Sequence, residues 1–325
     1  MPVHFGWSLR MDPQISVGYG SASYAAERYR QQLDLLVASG DVIGVHPHAW
    51  RWDVETRLWI ADHGNRTWVE ECVEVAVRSY RESFGSAPAF HRFGAAFLST
   101  PLTNLLGHLG VKIDMTVEPG GPSNRYVDVP GATWTGKTPD FRFSPRSPYR
   151  PSPDDCLLPS LAVGEGLWEL PLTSARWVMR RDLVPAVRSR LTHPVHSARG
   201  LRRRLAGLQR VRGEPSALQA KNDFRAGETR NRFDRLRLLA MWDDQLAPAH
   251  FWEAAFGAAC ELESPYLAFV LRTDQWSDRA QLKRFNAILD QLDKEPRAAT
   301  VKFVTPREAL EAMGLLEGTS TLPDT

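Results

Sequence analysis

The sequence has no run of roughly 18 or more apolar residues, which predicts no membrane-spanning helix. It has few cysteines. Cys72, Cys156 and Cys260 are odd in number and far apart, so they fit neither a disulfide framework nor a zinc-finger spacing. That scarcity favours a reducing compartment and predicts a cytoplasmic protein. Cys72 and Cys260 fall in apolar helical patterns and read as packing residues. The opening Met1-Pro2-Val3-His4-Phe5-Gly6-Trp7 has no basic leader followed by an apolar core, so no secretory signal is expected. There is no internal repeat, and the net charge is only +2.

That near-neutral balance hides one basic segment. Eleven arginines lie between Arg176 and Arg212, against the single acid Asp182. Such a segment suits phosphate groups or an anionic membrane surface, to which the protein would bind peripherally. Nucleic acid is the weaker partner, because no aromatic lies between Trp177 and Phe224 and no nucleic-acid-binding motif is present.

The rest of the chain alternates extended and helical segments. Strands are predicted over 3–9, 41–48, 89–94, 111–118, 166–172, 266–272 and 301–304. Helices are predicted over 25–39, from an N-cap at Thr67 to Gly85, from Ser99 to Gly110, over 247–262 and 277–294, and after Thr305-Pro306-Arg307-Glu308. Such alternation implies parallel strands joined by right-handed crossovers. The expectation is one domain over 1–325, a (β/α) barrel that is seven-stranded or distorted. A Pro/Gly-rich loop at 119–165 and a basic helical insertion at 176–232 interrupt it.

In such barrels chemistry gathers where strands end. The stretch Val42-Ile43-Gly44-Val45-His46-Pro47-His48-Ala49-Trp50-Arg51-Trp52 ends an apolar strand in two histidines and two tryptophans. Alternation sends His46 and His48 to one face, where two neutral imidazoles can share a divalent metal such as zinc. A hydrogen-bonded polar strand end is the plainer reading of the same pair. Trp50, Trp52 and Arg10 are candidates for substrate contact. Asp12 is the nearest carboxylate for a third ligand, or a turn former before Pro13. Asp274 is an acid–base candidate that could instead pair with Arg272. Glu169 is a candidate base that could instead be a buried, arginine-paired glutamate.

In order along the chain, these segments resemble the polysaccharide deacetylase family. Asp41-Val-Ile-Gly-Val-His46 is similar to its Gly-His-Glu-Ile-Gly-x-His strand. Phe90-His-Arg92-Phe-Gly94, followed by Leu105-Leu-Gly-His-Leu-Gly110-Val-Lys-Ile-Asp114, resembles its Phe-Arg-Pro-x-Gly strand with the helix and strand after it. Leu167-Trp-Glu-Leu-Pro171 and Phe303-Val-Thr-Pro-Arg-Glu308 resemble later segments. The resemblance implies a metal-dependent barrel that removes acetyl groups from N-acetylated sugars, with His46 as a metal ligand and Arg92 as the motif arginine.

The departures fall on the chemistry. The family's first strand ends in two aspartates, and no such strand precedes Val3. Its second histidine stands four residues after the first, where this chain has Trp50, so His48 takes that role by proximity alone. Its late catalytic histidine would fall near Arg272 and is absent. Either an aspartate-bearing strand lies upstream, or the protein is a degenerate relative, a pseudoenzyme that binds carbohydrate without hydrolysis. With catalysis, the arginine-rich insertion would hold the phosphate of a nucleotide-linked or lipid-linked sugar.

Overall fold

The computed structural model describes residues 4–123, 131–161, 166–176, 236–239, 246–271 and 278–316. A parallel succession organises the first half. Strand β1 (Gly6–Leu9) pairs with β2 (Val42–Val45), from Gly6 beside Val42 to Leu9 beside Val45. Buried Asp41 fastens their start, accepting from the Phe5 amide at 2.9 Å and from Trp7 Nε1 at 2.7 Å. His91 then bridges Val45 on one side and Asp114 on the other, both in parallel. Asp114 lies in a two-residue strand, Ile113–Asp114, and pairs with Glu169 of Trp168–Glu169. Leu9, Val45, His91, Asp114 and Glu169 therefore sit side by side across the succession.

Glycines set the spacing. A β-carbon on Gly44 would lie 2.5 Å from the Phe90 carbonyl oxygen, and one on Gly6 2.9 Å from the Phe90 ring. Both must be glycine for Phe90 to fill the space over β1 and β2.

Helices cover the sheet. Pro13–Tyr19 (α1) begins at an N-cap, Asp12, and stops at Gly20, whose φ of 86° is left-handed. The helix expected over 25–39 is two pieces, Tyr24–Arg28 (α2) and Arg30–Ala38 (α3), parted at Tyr29. Arg66–Phe84 (α4) buries Val69, Cys72, Val73, Ala76, Val77 and Tyr80, the face its 3.6-residue period predicts. Its cap is Asn65, which accepts from the Trp68 amide at 3.2 Å, so the expectation of Thr67 is corrected by two residues. The Tyr80 hydroxyl donates to the Ile43 carbonyl at 3.0 Å, pinning α4 onto β2. Thr100–His108 (α5) buries Leu102 and Leu106 in the same core. Each such aliphatic side chain contributes about 1.5–3 kcal/mol.

A second sheet is absent from the predicted elements. Trp50–Asp53 (β3) and Leu58–Asp62 (β4) form an antiparallel hairpin. In chain order Ile113–Asp114 is β5, and Ala132–Thr135 (β6) joins β4 in parallel. The segment expected to be loop over 119–165 thus contains a strand and a short 3-10 turn at Phe141–Phe143. Trp168–Glu169 is β7, and Ser174–Arg176 (β8) pairs antiparallel with Leu236–Leu238 (β9).

Pro248–Cys260 (α6), Arg279–Leu292 (α7) and Pro306–Ala312 (α8) complete the described chain. The capping box of Thr305 and Glu308 on α8 is as the sequence reads. Residues 301–304, expected as a strand, are not one. Residues 266–271 are not a strand either, although the Thr173 amide donates to Ala268 O at 2.9 Å. Cys260 is exposed, against the packing role expected of it, whereas Cys72 and Cys156 are buried. Of the basic segment only Arg176 is described, and the rest of 176–212 lies outside the described residues. No helix among the described residues is long and apolar enough to cross a membrane.

Candidate functional site

The histidine pair stands one step beyond β2. The His46 amide still donates to the Leu9 carbonyl at 2.8 Å, so the strand's geometry carries through to it. His46 Nδ1 lies 2.6 Å from the Arg92 carbonyl oxygen, which can only accept, so Nδ1 carries the proton and Nε2 keeps its lone pair. That lone pair faces His48 Nε2 at 3.1 Å, the two rings standing edge to face at 90°. Burial holds His46 neutral, its pKa lowered to about 3, and the Arg92 guanidinium adds to the effect.

The chemistry of the pair fits a divalent ion. Two imidazole nitrogens on one tetrahedral zinc stand about 3.3 Å apart, given bonds of roughly 2.0–2.1 Å. A backbone acceptor on the remote nitrogen is the usual device that fixes a ligating tautomer. Among the described residues, however, no group of three His, Cys, Asp or Glu side chains could hold a metal.

Asp12 shows why. Its carboxylate takes a two-pronged bond from Arg10, Nε to Oδ2 at 2.6 Å and Nη2 to Oδ1 at 3.0 Å. It also accepts from the Gln14 amide at 3.1 Å and from the His48 amide at 3.0 Å. Asp12 is therefore the N-cap of α1 and the anchor of the His48 backbone, the turn-forming alternative rather than a third ligand. Arg10 is correspondingly spent on Asp12 and on Gln14 Oε1, at 2.6 Å.

Behind His48 the chain leaves no spare space. A β-carbon on Gly94 would lie 2.3 Å from His48 Cδ2, and the Gly94 amide donates to the Pro47 carbonyl at 2.8 Å. Ala95 and Ala96 follow with φ of 57° and 51°, two consecutive non-glycine residues in the left-handed region. Strain of this kind persists where surrounding structure over-determines it, commonly at functional sites.

Arg92 contributes its backbone to His46 and its side chain elsewhere. Nη1 donates to the Met115 carbonyl at 2.6 Å and Nη2 to Glu118 Oε1 at 2.5 Å. The carboxylate that Arg92 orients is thus Glu118, which the sequence marks only as a charged residue at a strand end.

Glu169 is not in the same place. Residues 91, 114 and 169 share one row of the sheet, and His46 and Arg92, each one residue further on, face the other way. His91 Nδ1 lies 2.8 Å from Asp114 Oδ1, which also accepts from Thr116 Oγ1 at 2.7 Å. Glu169 is fully buried beside them, and burial together with the Asp114 charge pushes its pKa well above the usual carboxylate range. It is buried, as one reading had it, but its neighbour is an aspartate rather than an arginine. It has no exposed surface for a substrate to reach. Asp274 and Arg272 lie outside the described residues.

The tryptophans line the hairpin beside the pair. Trp50 packs against Trp134 with ring centroids 4.7 Å apart, and Trp52 against Trp59 at 5.2 Å. His63 is layered between Phe97, at 4.9 Å and 27°, and Trp134, at 5.8 Å and 18°. Burial lowers the His63 pKa to about 4. Trp59, Trp134 and His63 were not among the sequence candidates. The short apolar run Leu58-Trp59-Ile60-Ala61, with β-favouring Trp and Ile, is the signal that could have found the second strand of the hairpin.

No protein-family model matches the sequence, and no curated protein matches it. Among solved structures, the chain is similar to a Mycobacterium smegmatis protein described provisionally as a polysaccharide deacetylase. There the identity is 13%, the TM-score 0.29, and the overlap 53% of this chain and 59% of that one. It is also similar to a Parabacteroides distasonis protein described provisionally as a glycoside hydrolase/deacetylase. That match has 18% identity, a TM-score of 0.29 and an overlap of 55% of this chain and 34% of the other. The chain thus spans less than two thirds of either protein's length.

Proposed function

We propose that the protein is a (β/α) barrel that removes the acetyl group from an N-acetylated sugar or polysaccharide, using a divalent ion, zinc by preference, held in part by His46 and His48. The observation that carries this reading is the pair of convergent Nε2 atoms, 3.1 Å apart, at the C-terminal end of a parallel strand. The shared part of the structural likenesses is about half of this chain. The functional reading is therefore carried by the side chains.

Water cleaves the amide C–N bond, its hydroxyl going to the acetyl carbon and its proton to the departing sugar amine. When bound, the ion supplies Lewis acidity to the carbonyl. Glu118, aligned by Arg92, is the carboxylate joined to His46 through one residue and the candidate to accept a proton. Asp274 is the candidate to return one to the amine. Trp50 and Trp52 offer apolar faces to the sugar ring. The arginines of 176–212 would hold a phosphate on a nucleotide-linked or lipid-linked donor, an interaction that rising salt must weaken. The test is acetate release from an N-acetylated oligosaccharide, with and without chelator. Release that chelator and His46→Ala each abolish is expected. Release indifferent to both refutes the reading.

One observation favours a second reading, a barrel that binds carbohydrate without cutting it. Catalytic zinc sites use three protein ligands, and Asp12, the nearest carboxylate, is saturated by Arg10 and two backbone amides. Carbohydrate binding without acetate release at any added metal would establish it.

A further inference from the structure

The residues on either side of Arg92 are held by one buried carboxylate. Asp114 Oδ1 accepts from His91 Nδ1 at 2.8 Å and from Thr116 Oγ1 at 2.7 Å. The Thr116 oxygen in turn accepts from the Phe93 amide at 2.8 Å. Asp114 thus reaches residue 91 directly and residue 93 through one hydroxyl. Arg92, between them, faces the other side of the sheet. There its carbonyl fixes the His46 tautomer at 2.6 Å and its guanidinium aligns Glu118. His91, Asp114 and Thr116 have no exposed surface.

Among the described residues, Asp114 Oδ2 and both oxygens of Glu169 accept from no N–H or O–H group. Both carboxyl groups are fully buried, and they stand across from each other in the parallel β5–β7 pair. Glu169 is within hydrogen-bond reach of Asp114, and two carboxyl groups bond to each other only when one carries a proton. Their surroundings decide which one. Burial and the Asp114 charge push the Glu169 pKa well up. Burial would raise Asp114 as well, yet the His91 ring and its hydrogen bond leave Asp114 below the usual carboxylate range. The proton therefore stays on Glu169 above the ordinary glutamate range and completes Asp114 at Oδ2. Besides His91, the titratable groups around the pair are Tyr149, Cys156 and Asp155. Burial raises the Tyr149 hydroxyl, which donates to the Cys156 carbonyl at 2.9 Å, and lifts the Cys156 thiol to about 12. Arg150 lies over the Trp168 ring at 4.8 Å, on the other face of β7.

We infer that Asp114 and Glu169 are positioning residues. Joined by one proton, they clamp residues 91 and 93 so that Arg92 presents its carbonyl to His46 and its guanidinium to Glu118. Loss of that proton opens the clamp. This rests on the reading of His46 and Glu118 as working groups and adds what controls them. When the proton passes from Glu169 to solvent, two buried anions face each other on strands about 4.8 Å apart, where their repulsion is poorly screened. The β5–β7 seam is thin, two residues on each strand. It is bonded by the Trp168 amide on Lys112 O at 2.9 Å and the Leu170 amide on Asp114 O at 2.8 Å. Asp114 swings away from Glu169, and its bonds to His91 and Thr116 go with it. The Arg92 carbonyl then leaves His46 Nδ1, and the ring is free to change tautomer.

The experiment is a pH titration of the chelator-treated full chain by NMR. It follows the His46 ring nitrogens, the Phe93 amide and the carboxyl carbons of Asp114 and Glu169. It is run on the unsubstituted protein, Glu169→Gln and Thr116→Val, with each fold checked by circular dichroism. In the unsubstituted protein Glu169 should ionise in one step above the ordinary glutamate range, and the Phe93 amide and the His46 tautomer should change with it. Glu169→Gln, whose amide donates to Asp114 at every pH, should show no such step. Thr116→Val should shift the Phe93 amide and mix the His46 tautomers at every pH while Glu169 still titrates. Glu169 ionising in the ordinary range, or not before the fold is lost, would overturn the clamp. So would an ionisation that leaves Phe93 and His46 unmoved. A step that survives in Glu169→Gln would also overturn it and would belong to His91, Tyr149 or Cys156. With zinc restored, acetate release should fall about tenfold per pH unit beyond the step, and Glu169→Gln should abolish that fall. Zinc-dependent release with the same alkaline fall in both proteins would refute the clamp and leave the metal reading standing. The NMR step without any zinc binding would do the reverse.

Discussion

Substituting Gly94 by alanine is a small change with a large expected consequence. The added β-carbon would sit 2.3–2.4 Å from three atoms of the His48 ring, where carbon atoms in contact prefer about 3.5 Å. The ring must retreat by about 1 Å, whereas metal–ligand distances tolerate only about 0.2 Å. Gly94 is not among the left-handed glycines, so alanine suits its backbone and the cost acts through His48. Gly94→Ala should weaken zinc binding at least about tenfold and lower stability by about 1–3 kcal/mol, the usual range for overpacking. The assays are zinc titration and urea unfolding of Gly94→Ala, of His48→Ala and of the two combined. In the double variant the alanine meets no ring, so its stability cost should vanish, a coupling that a double-mutant cycle reads directly. A Gly94→Ala protein that binds zinc normally, or whose stability cost is the same with His48 absent, would refute the geometry.

Other predictions follow from single side chains. His63 is held near pKa 4 against an ordinary 6.5, so below pH 6.5 the unfolded chain takes a proton that the folded one refuses. Stability should therefore fall from pH 6.5 to about 4 by up to about 1.4 kcal/mol per unit, and His63→Phe should flatten that slope by about one proton in urea titrations across the range. Glu169 has a raised pKa, so it costs stability as pH rises past the ordinary glutamate range. Glu169→Gln should be at least as stable at pH 7 and keep any acetate release, whereas a loss of activity in a well-folded Glu169→Gln would return Glu169 to the site. Arg10→Met strands the fully buried Asp12 carboxylate and should cost about 3–5 kcal/mol in denaturant unfolding. A loss below about 1 kcal/mol would show that the backbone donors suffice.

The sequence was most legible where one residue type admits one geometry. The apolar run before His46, the capping box at Thr305 and the amphipathic face of α4 each follow from a single periodicity or cap. His46 and His48 were found together because alternation alone puts them on one side. The hairpin sheet was hidden because its second strand sits behind a turn, Val54 to Arg57, with no Asn-Gly or Asp-Gly to announce it. Residues 89–94 look like a strand, yet only His91 bridges to its neighbours. The partners of Asp12 and Glu169 could not be read either. The Asp114 beside Glu169 and the His48 amide on Asp12 both come from residues far away in sequence. Asp12 is claimed by nearby Arg10, and Glu169 by Asp114 across a strand pair.

The most direct test of the account is zinc titration into chelator-treated protein, beside a His46→Ala, His48→Ala double variant whose fold is checked by circular dichroism. One ion is expected per chain in the unsubstituted protein and none in the variant, the His48 hydrogen passing to Nδ1 as Nε2 takes the metal, so that any proton released comes from ionisation of bound water. No binding to the unsubstituted protein, or equal binding to a well-folded double variant, would contradict it.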